Sequence, residues 1–222
     1  MKEALAEQGF ALWPGRLDAA ALMELERLFD TMPLDRPGLR IAPAKAAALH
    51  ACQGIQDDVR RVIGPEARVV RALLFDKSDT SNWALGWHQD RTIEVAERID
   101  VAGYGPWTVK QGRLHVAPPI DLIETMLTVR FHLDPVGPNN APLEVAPGSH
   151  QLGFIAEDRI ANAIDRCGTA TCLADAGQVW FYSTPILHAS ARSVPGSRRR
   201  VLQLDYAATD LPGGLRWAAD DA

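Results

Sequence analysis

The chain is short of cysteine and of positive charge, and each shortage removes a class of protein. Cys52, Cys167 and Cys172 are the only cysteines in 222 residues, an odd number without regular spacing. They give no disulfide framework and no zinc or redox pattern, and they read as free thiols in a reducing, cytoplasmic setting. Lys and Arg total 23 against 28 Asp and Glu, a net charge of −5. A general nucleic-acid binder is usually basic, and the run Arg198-Arg199-Arg200 is too short to change that reading. The acidic balance also argues against a polyanionic substrate. No apolar run approaches the roughly 20 residues that span a bilayer, and the start Met1-Lys2-Glu3-Ala4-Leu5 has no signal-peptide core. There is no internal repeat, low-complexity tract or linker. What remains is an ordinary globule, 47% hydrophobic and 23% charged, sized for one domain over residues 1–222.

Apolar residues at helical spacing (Leu17, Ala21, Leu22, Leu25, Leu28, Phe29), with Asp18 before them and Pro33 after, predict a helix from Leu17 to Thr31. A second helical stretch runs from Pro43 to Ile63, bent at Gly54. Branched residues predict a strand over Arg68–Phe75, and Trp83–His88 is extended again. Arg91–Pro119 shows no clear period and is rich in Gly and Pro; a loop of this length in a compact domain is usually functional. Further strands are expected at Leu127–Leu133, Leu143–Val145, Thr171–Leu173, Gln178–Tyr182, Ile186–Ala191 and Arg200–Tyr206, with a short helix at Asp158–Cys167. Helices over about 1–66 followed by short strands over about 67–207 point to a mainly β fold. It would be a jelly roll with an N-terminal helical layer.

The chemistry centres on Gly86-Trp87-His88-Gln89-Asp90. Residues two apart on a strand share a face, so His88 and Asp90 can reach one ion while Gln89 turns away. With His188 downstream they offer the two imidazoles and one carboxylate that suit non-haem Fe(II) oxygenases, leaving the opposite positions of the metal open. The same ligand set can host other divalent metals.

Three stretches together carry a more specific signal. They are Trp87–Asp90; the element from Asn139-Asn140-Ala141-Pro142-Leu143 to Pro147-Gly148-Ser149-His150; and the run from Gly177 through Ile186-Leu187-His188-Ala189-Ser190 to Arg199-Arg200. In this order the chain resembles the phytanoyl-CoA dioxygenase family over roughly Arg68 to Tyr206. The resemblance implies a double-stranded β-helix of cupin type, Fe(II) held by His88, Asp90 and His188, 2-oxoglutarate as co-substrate, O2, and a small-molecule substrate. It assigns Arg199, eleven residues after His188, to the far carboxylate of 2-oxoglutarate, with Ser190 assisting. A guanidinium fork grips a carboxylate through two charge-assisted hydrogen bonds, and a hydroxyl adds a donor. Arg198 and Arg200 alternate away from Arg199, so a one-residue register error would exchange them. Ala141 stands where the family more usually has glycine. The retained carboxylate ligand favours hydroxylation or another oxygenase outcome over halogenation.

Gln89, Arg130 and Trp107 are further candidates for cofactor or substrate contact. Among the other histidines, His150 reads as structural, while His132 and His115 are possible ligand contacts. Trp83, Trp87, Trp107 and Trp180 could cage a substrate, although strand aromatics are more often core. Arg91–Pro119 follows the metal motif directly and is expected to form a lid or substrate wall. The competing reading is a jelly-roll hydrolase or isomerase using Zn2+ or Mn2+ without 2-oxoglutarate. Arg199 separates the two, since such an enzyme needs no carboxylate clamp.

Overall fold

Alternation along the long strands sets the architecture. On the strands Arg68–Lys77 (β3) and Arg199–Ala207 (β13), one set of side chains, Arg71, Leu73, Phe75, Lys77, Arg199 and Gln203, lines an internal cavity. The intervening Ala72, Leu74, Leu202 and Leu204 lie in the main apolar core. The structure, a computed structural model, describes residues 1–31, 38–46 and 54–221. Among them are three antiparallel sheets.

The largest sheet has six strands in the order β1 (Phe10–Leu12), β11 (Val179–Ser183), β8 (Leu127–His132), β13, β3, β2 (Gly38–Ile41). A four-stranded sheet runs β10 (Ala170–Cys172), β9 (Leu143–Val145), β12 (His188–Ser190), β4 (Leu85–His88). The cavity takes its walls from both, with Arg71, Arg130 and Arg199 on one side and Leu85, His88, Leu143 and His188 on the other. This is the expected jelly roll.

Two N-terminal helices, Ala19–Asp30 (α2) and Ile55–Ile63 (α3), bury Leu25, Leu28, Phe29, Ile55 and Val59 in the same core as the outward face of the large sheet. Each such fully buried side chain contributes about 1.5–3 kcal/mol. Asp18 caps α2 by accepting from the Ala21 amide at 2.8 Å, which satisfies one orphan donor of its first turn.

The N-terminal third is not simply helical. A short helix, Lys2–Gln8 (α1), leads into β1, and β1 and β2 form the two edges of the large sheet. Strands of three and four residues are too short to show a period in sequence. Of the predicted helix over Pro43–Ile63, the described residues show a 3-10 turn at Pro43–Ala46 and α3. Its middle, with Cys52, lies outside the described residues.

The larger correction concerns Arg91–Pro119. It carries a third sheet, β5 (Ile93–Glu94), β7 (Arg113–Val116) and β6 (Trp107–Lys110). Ile93, Val95 and Val116 pack with Leu211, Leu215 and Trp217 from the C-terminal end. The β6–β7 hairpin turns through Gln111 and Gly112, whose φ values are 53° and 76°. Two successive positive φ angles are what a type I′ turn requires. The dipeptide Gln-Gly between two short alternating runs was the available signal. Among the described residues no helix is long and apolar enough to cross a membrane.

Candidate active site

His88 on β4 and His188 on β12 stand directly opposite each other in the antiparallel register. Their ring centroids are 4.3 Å apart. Each Nδ1 faces a backbone carbonyl, Gly86 O at 2.7 Å and Ile186 O at 2.9 Å. A neutral imidazole that donates from Nδ1 keeps its Nε2 lone pair free for a metal. Burial, and then His88, lower the His188 pKa to about 4, which favours that neutral form. Asp90 completes the group: its carboxylate and the two imidazoles offer donor atoms all within 4.8 Å of one another. β4 ends at His88, so Asp90 is not a strand neighbour. It is aimed by other residues.

Those residues are Arg71 and Asp205, cross-strand partners on β3 and β13. The Arg71 guanidinium donates from Nε to Asp205, from Nη2 to Asp90 at 3.2 Å, and from Nη1 to the Thr92 carbonyl at 3.2 Å. Asp205 is fully buried and also accepts from Thr128 at 3.0 Å and Gln203 at 3.1 Å. Burial alone would raise the Asp90 pKa. Arg71 above all, with Lys110, outweighs it and holds the carboxylate ionised below its ordinary range. An ionised carboxylate beside two Nε2 lone pairs is the donor set that suits Fe(II), so these residues fit that metal.

The other wall of the cavity is cationic. Arg199 is 2% exposed; it donates to the Ala141 carbonyl and, at 3.3 Å, to Ser190 Oγ. It has no carboxylate partner among the described residues, and its Nε is buried without a hydrogen bond. Ser190 Oγ donates to the same Ala141 carbonyl at 3.0 Å and accepts from Lys77 Nζ at 2.9 Å. Lys77 lies directly across from Arg199 in the β3–β13 register. Like charges opposite one another destabilise a sheet, and Arg130 adds a third. Burial, then Arg199 and Arg130, bring the Lys77 pKa down to about 7; burial, then Arg130, bring Arg199 to about 9. Such a cluster calls for an anion.

The neighbouring arginines face elsewhere. Arg198 forms a two-point pair with Asp76 at 2.7 and 3.1 Å, and Arg200 one with Asp134 at 2.6 and 3.0 Å. Ala141 has a left-handed φ of 47°, which explains why glycine suits this position and how its carbonyl meets both Arg199 and Ser190. Ala141→Val should destabilise the protein by about 2 kcal/mol or more, since a branched residue is strained there and the site is fully packed. Ala141→Gly should be close to neutral. Thermal unfolding of the two variants distinguishes these outcomes.

Not every candidate comes to the cavity as expected. Gln89 reaches its edge, but its amide is spent on backbone: it donates to Gly153 O at 2.9 Å and Pro185 O at 2.8 Å, and accepts from Ile155 N at 2.9 Å. It braces the loop behind the metal strand. Trp107 lies under Arg98 and against the third sheet's core, away from the cavity lining. Of the tryptophans only Trp83 lines the cavity. His132 is buried beside Arg130 and Arg199 without a hydrogen-bond partner and does not line the cavity. His115 packs near Glu94, outside it. His150 meets the Ala6 carbonyl at 3.2 Å, and its neighbour Ser149 accepts from the Leu187 amide at 2.9 Å. The Pro-Gly-Ser-His turn therefore ties α1 to the strand that carries His188.

A cavity of about 660 Å³ inside a jelly roll, with a His-Asp-His group that could hold a metal on one wall and, on another, a buried arginine without a carboxylate partner among the described residues, fits the non-haem iron oxygenase type of site. The chain belongs to the phytanoyl-CoA dioxygenase (PhyH) family, whose model matches residues 24–201. It is thus an enzyme of the 2-oxoglutarate-dependent non-haem iron dioxygenase class. No curated protein matches it in sequence. Among solved structures it is similar to EctD from S. alaskensis in its apoform, with a TM-score of 0.71 and 18% identity over 93% of this chain and 75% of that one. It is also similar to HygX from Streptomyces hygroscopicus with nickel and 2-oxoglutarate bound, with a TM-score of 0.63 and 18% identity over 94% and 87%. At these identities the likeness is one of fold.

Proposed function

We propose that the chain hydroxylates a small organic molecule, using Fe(II), O2 and 2-oxoglutarate and releasing succinate and CO2. One oxygen atom enters the product and the other the succinate. The observation that carries this reading is Arg199, buried, without a carboxylate partner, and opening on the same cavity as His88, Asp90 and His188. A hydrolase or isomerase would have no use for it. EctD bound to 2-oxoglutarate and 5-hydroxyectoine, and HygX bound to nickel, 2-oxoglutarate and hygromycin B, support a reaction on a small molecule.

His88, Asp90 and His188 would hold the metal, which when bound supplies O2 activation and a chelation point for the 2-oxo acid. The remaining work falls to the protein. Arg199 and Ser190 grip the far carboxylate of 2-oxoglutarate, and Lys77 and Arg130 add positive charge around it. The Nδ1 bonds to Gly86 and Ile186 fix both imidazole tautomers. Arg71, anchored on Asp205, keeps Asp90 ionised and aimed. Residues 1–222 act as one catalytic unit.

The test is an anaerobic titration of the protein with Fe(II) and 2-oxoglutarate, following the weak visible charge-transfer band of the chelate. The band should need both components. Arg199→Ala should weaken 2-oxoglutarate binding about a hundredfold, in line with losing two hydrogen bonds to a charged group. No band with the metal still bound would remove the co-substrate.

A further inference from the structure

The whole chain is acidic, yet its cavity is not. Among the described residues, seven basic side chains line it against a single carboxylate, Asp90. Fe(II) and a 2-oxoglutarate dianion cancel each other in charge, so loading the site does not use up this excess. The cations fall into two groups. Lys77, Arg130 and Arg199 act on one another at the co-substrate end. Arg40 and Lys110 act on Arg71 and Asp90. The two groups are set apart in the sheet: Arg71 and Lys77 are six residues apart on β3, about 20 Å along an extended strand, and Arg40, level with Leu73 and Gln203, is three strands away from Arg130 in the same row.

Arg71 is already neutralised by Asp205 and Asp90. Arg40 and Lys110 are not. Neither forms an ion pair among the described residues; Arg40 Nε is buried without a hydrogen bond, and Lys110 Nζ has only the Thr92 hydroxyl at 2.9 Å. The nearby Glu94 is engaged by Arg113 at 2.6 Å. The placement of these two cations is built in. Gln111, in the β6–β7 turn, accepts from the Arg40 amide at 3.0 Å and donates to the Gly38 carbonyl at 2.9 Å. That staple fixes the hairpin carrying Lys110 against the edge strand carrying Arg40.

Resting on the reading above, we infer that the molecule oxidised here is a small organic anion. Its carboxylate or phosphate is held by Arg40 and Lys110, beside the metal ligand Asp90 and apart from the co-substrate clamp. A guanidinium and an ammonium converging on one cavity wall bind an oxyanion by charge-assisted hydrogen bonds. A neutral or cationic substrate would leave both cations uncompensated in a partly buried site. The sequence argued against a polyanion from the net charge alone; the fold gathers the minority charge into one place.

The experiment begins with protein saturated anaerobically with Fe(II) and 2-oxoglutarate. Absence of the visible band at this stage overturns the underlying function. With the band present, phenylphosphonate, phenylacetate and the neutral phenylacetamide are titrated separately, and the shift of the band is followed. At least one of the two anions should perturb it while the amide does not, and the tighter anion identifies phosphate or carboxylate as the group recognised. Arg40→Gln and Lys110→Gln should each weaken that anion about tenfold, the loss of one charged hydrogen bond. Their affinity for 2-oxoglutarate should stay within about twofold, as for independent sites. No anion effect, or an equal effect of the amide, overturns the inference. So does anion binding that merely displaces 2-oxoglutarate, or a loss of 2-oxoglutarate affinity in both variants, which would assign these cations to the co-substrate.

Discussion

Replacing His88 or Asp90 by alanine is expected to lower succinate-forming turnover by at least about a thousandfold, because catalysis by a bound metal fails when a ligand is lost. The readout that separates chemistry from folding is the metal itself. Iron retained after desalting should fall well below one equivalent in both variants, while far-ultraviolet circular dichroism is unchanged. The fold tolerates these changes for a local reason. His88 contributes a half-buried ring at the end of a four-residue strand, and its hydrogen bond to Gly86 is a contact within its own segment. Removing Asp90 still leaves Arg71 its pair with Asp205. Full iron content together with full turnover in either variant would remove the triad from the mechanism.

The grouping of His88, Asp90 and His188 was legible because histidine is scarce in this chain, with 6 in all, and because these residues stand among distinctive neighbours, with Pro-Gly-Ser-His and the His188 to Arg199 spacing supporting them. The residues that complete the site were not. Lys77, at the end of the long strand β3, and Arg40 and Lys110, in four-residue strands, are single basic residues, and in sequence each reads as an ordinary solvated charge. Their meaning comes from register: Lys77 becomes informative only when β3 pairs with β13 and sets it against Arg199. The same holds for Arg71, Thr128 and Asp205, which form a polar row across three adjacent strands. Their spacing in the chain exceeds any local motif.

Local signals also account for what the strand reading missed. Gly38–Ile41 lies near prolines and is only four residues long, yet it brings Arg40 into the cavity. Arg91–Pro119 looked aperiodic because its strands are two and four residues long, separated by Gly and Pro. Expecting a substrate wall there was reasonable, since Arg91, Thr92, Lys110 and Gln111 do line the cavity. The segment is nonetheless a small sheet with its own apolar core rather than an unstructured loop.

Asp205→Asn should destabilise the protein by about 3 kcal/mol, the cost of leaving one member of a buried ion pair without its partner. For a chain of this size that corresponds to a fall of roughly 6–12 °C in the melting midpoint. The substitution preserves shape, and an asparagine oxygen can still accept from Thr128 and Gln203, so the loss isolates the charge. Arg71 is 6% exposed at its side chain, and after the change it would have only Asp90, itself 22% exposed, as counter-charge. That transfer is the functional consequence. A guanidinium drawn fully onto Asp90 competes with a metal for the same carboxylate oxygens, so iron affinity should drop about tenfold or more, as is common when a residue supporting a ligand is removed. Asp205→Asn thus separates support of the ligand from ligation: it lowers stability and iron affinity together, whereas His88→Ala lowers iron affinity with little change in stability. Melting curves with and without Fe(II), measured on both variants, decide between this arrangement and one in which Arg71 and Asp205 only hold the two strands together. In the latter case Asp205→Asn would melt earlier and bind iron as tightly as the parent protein.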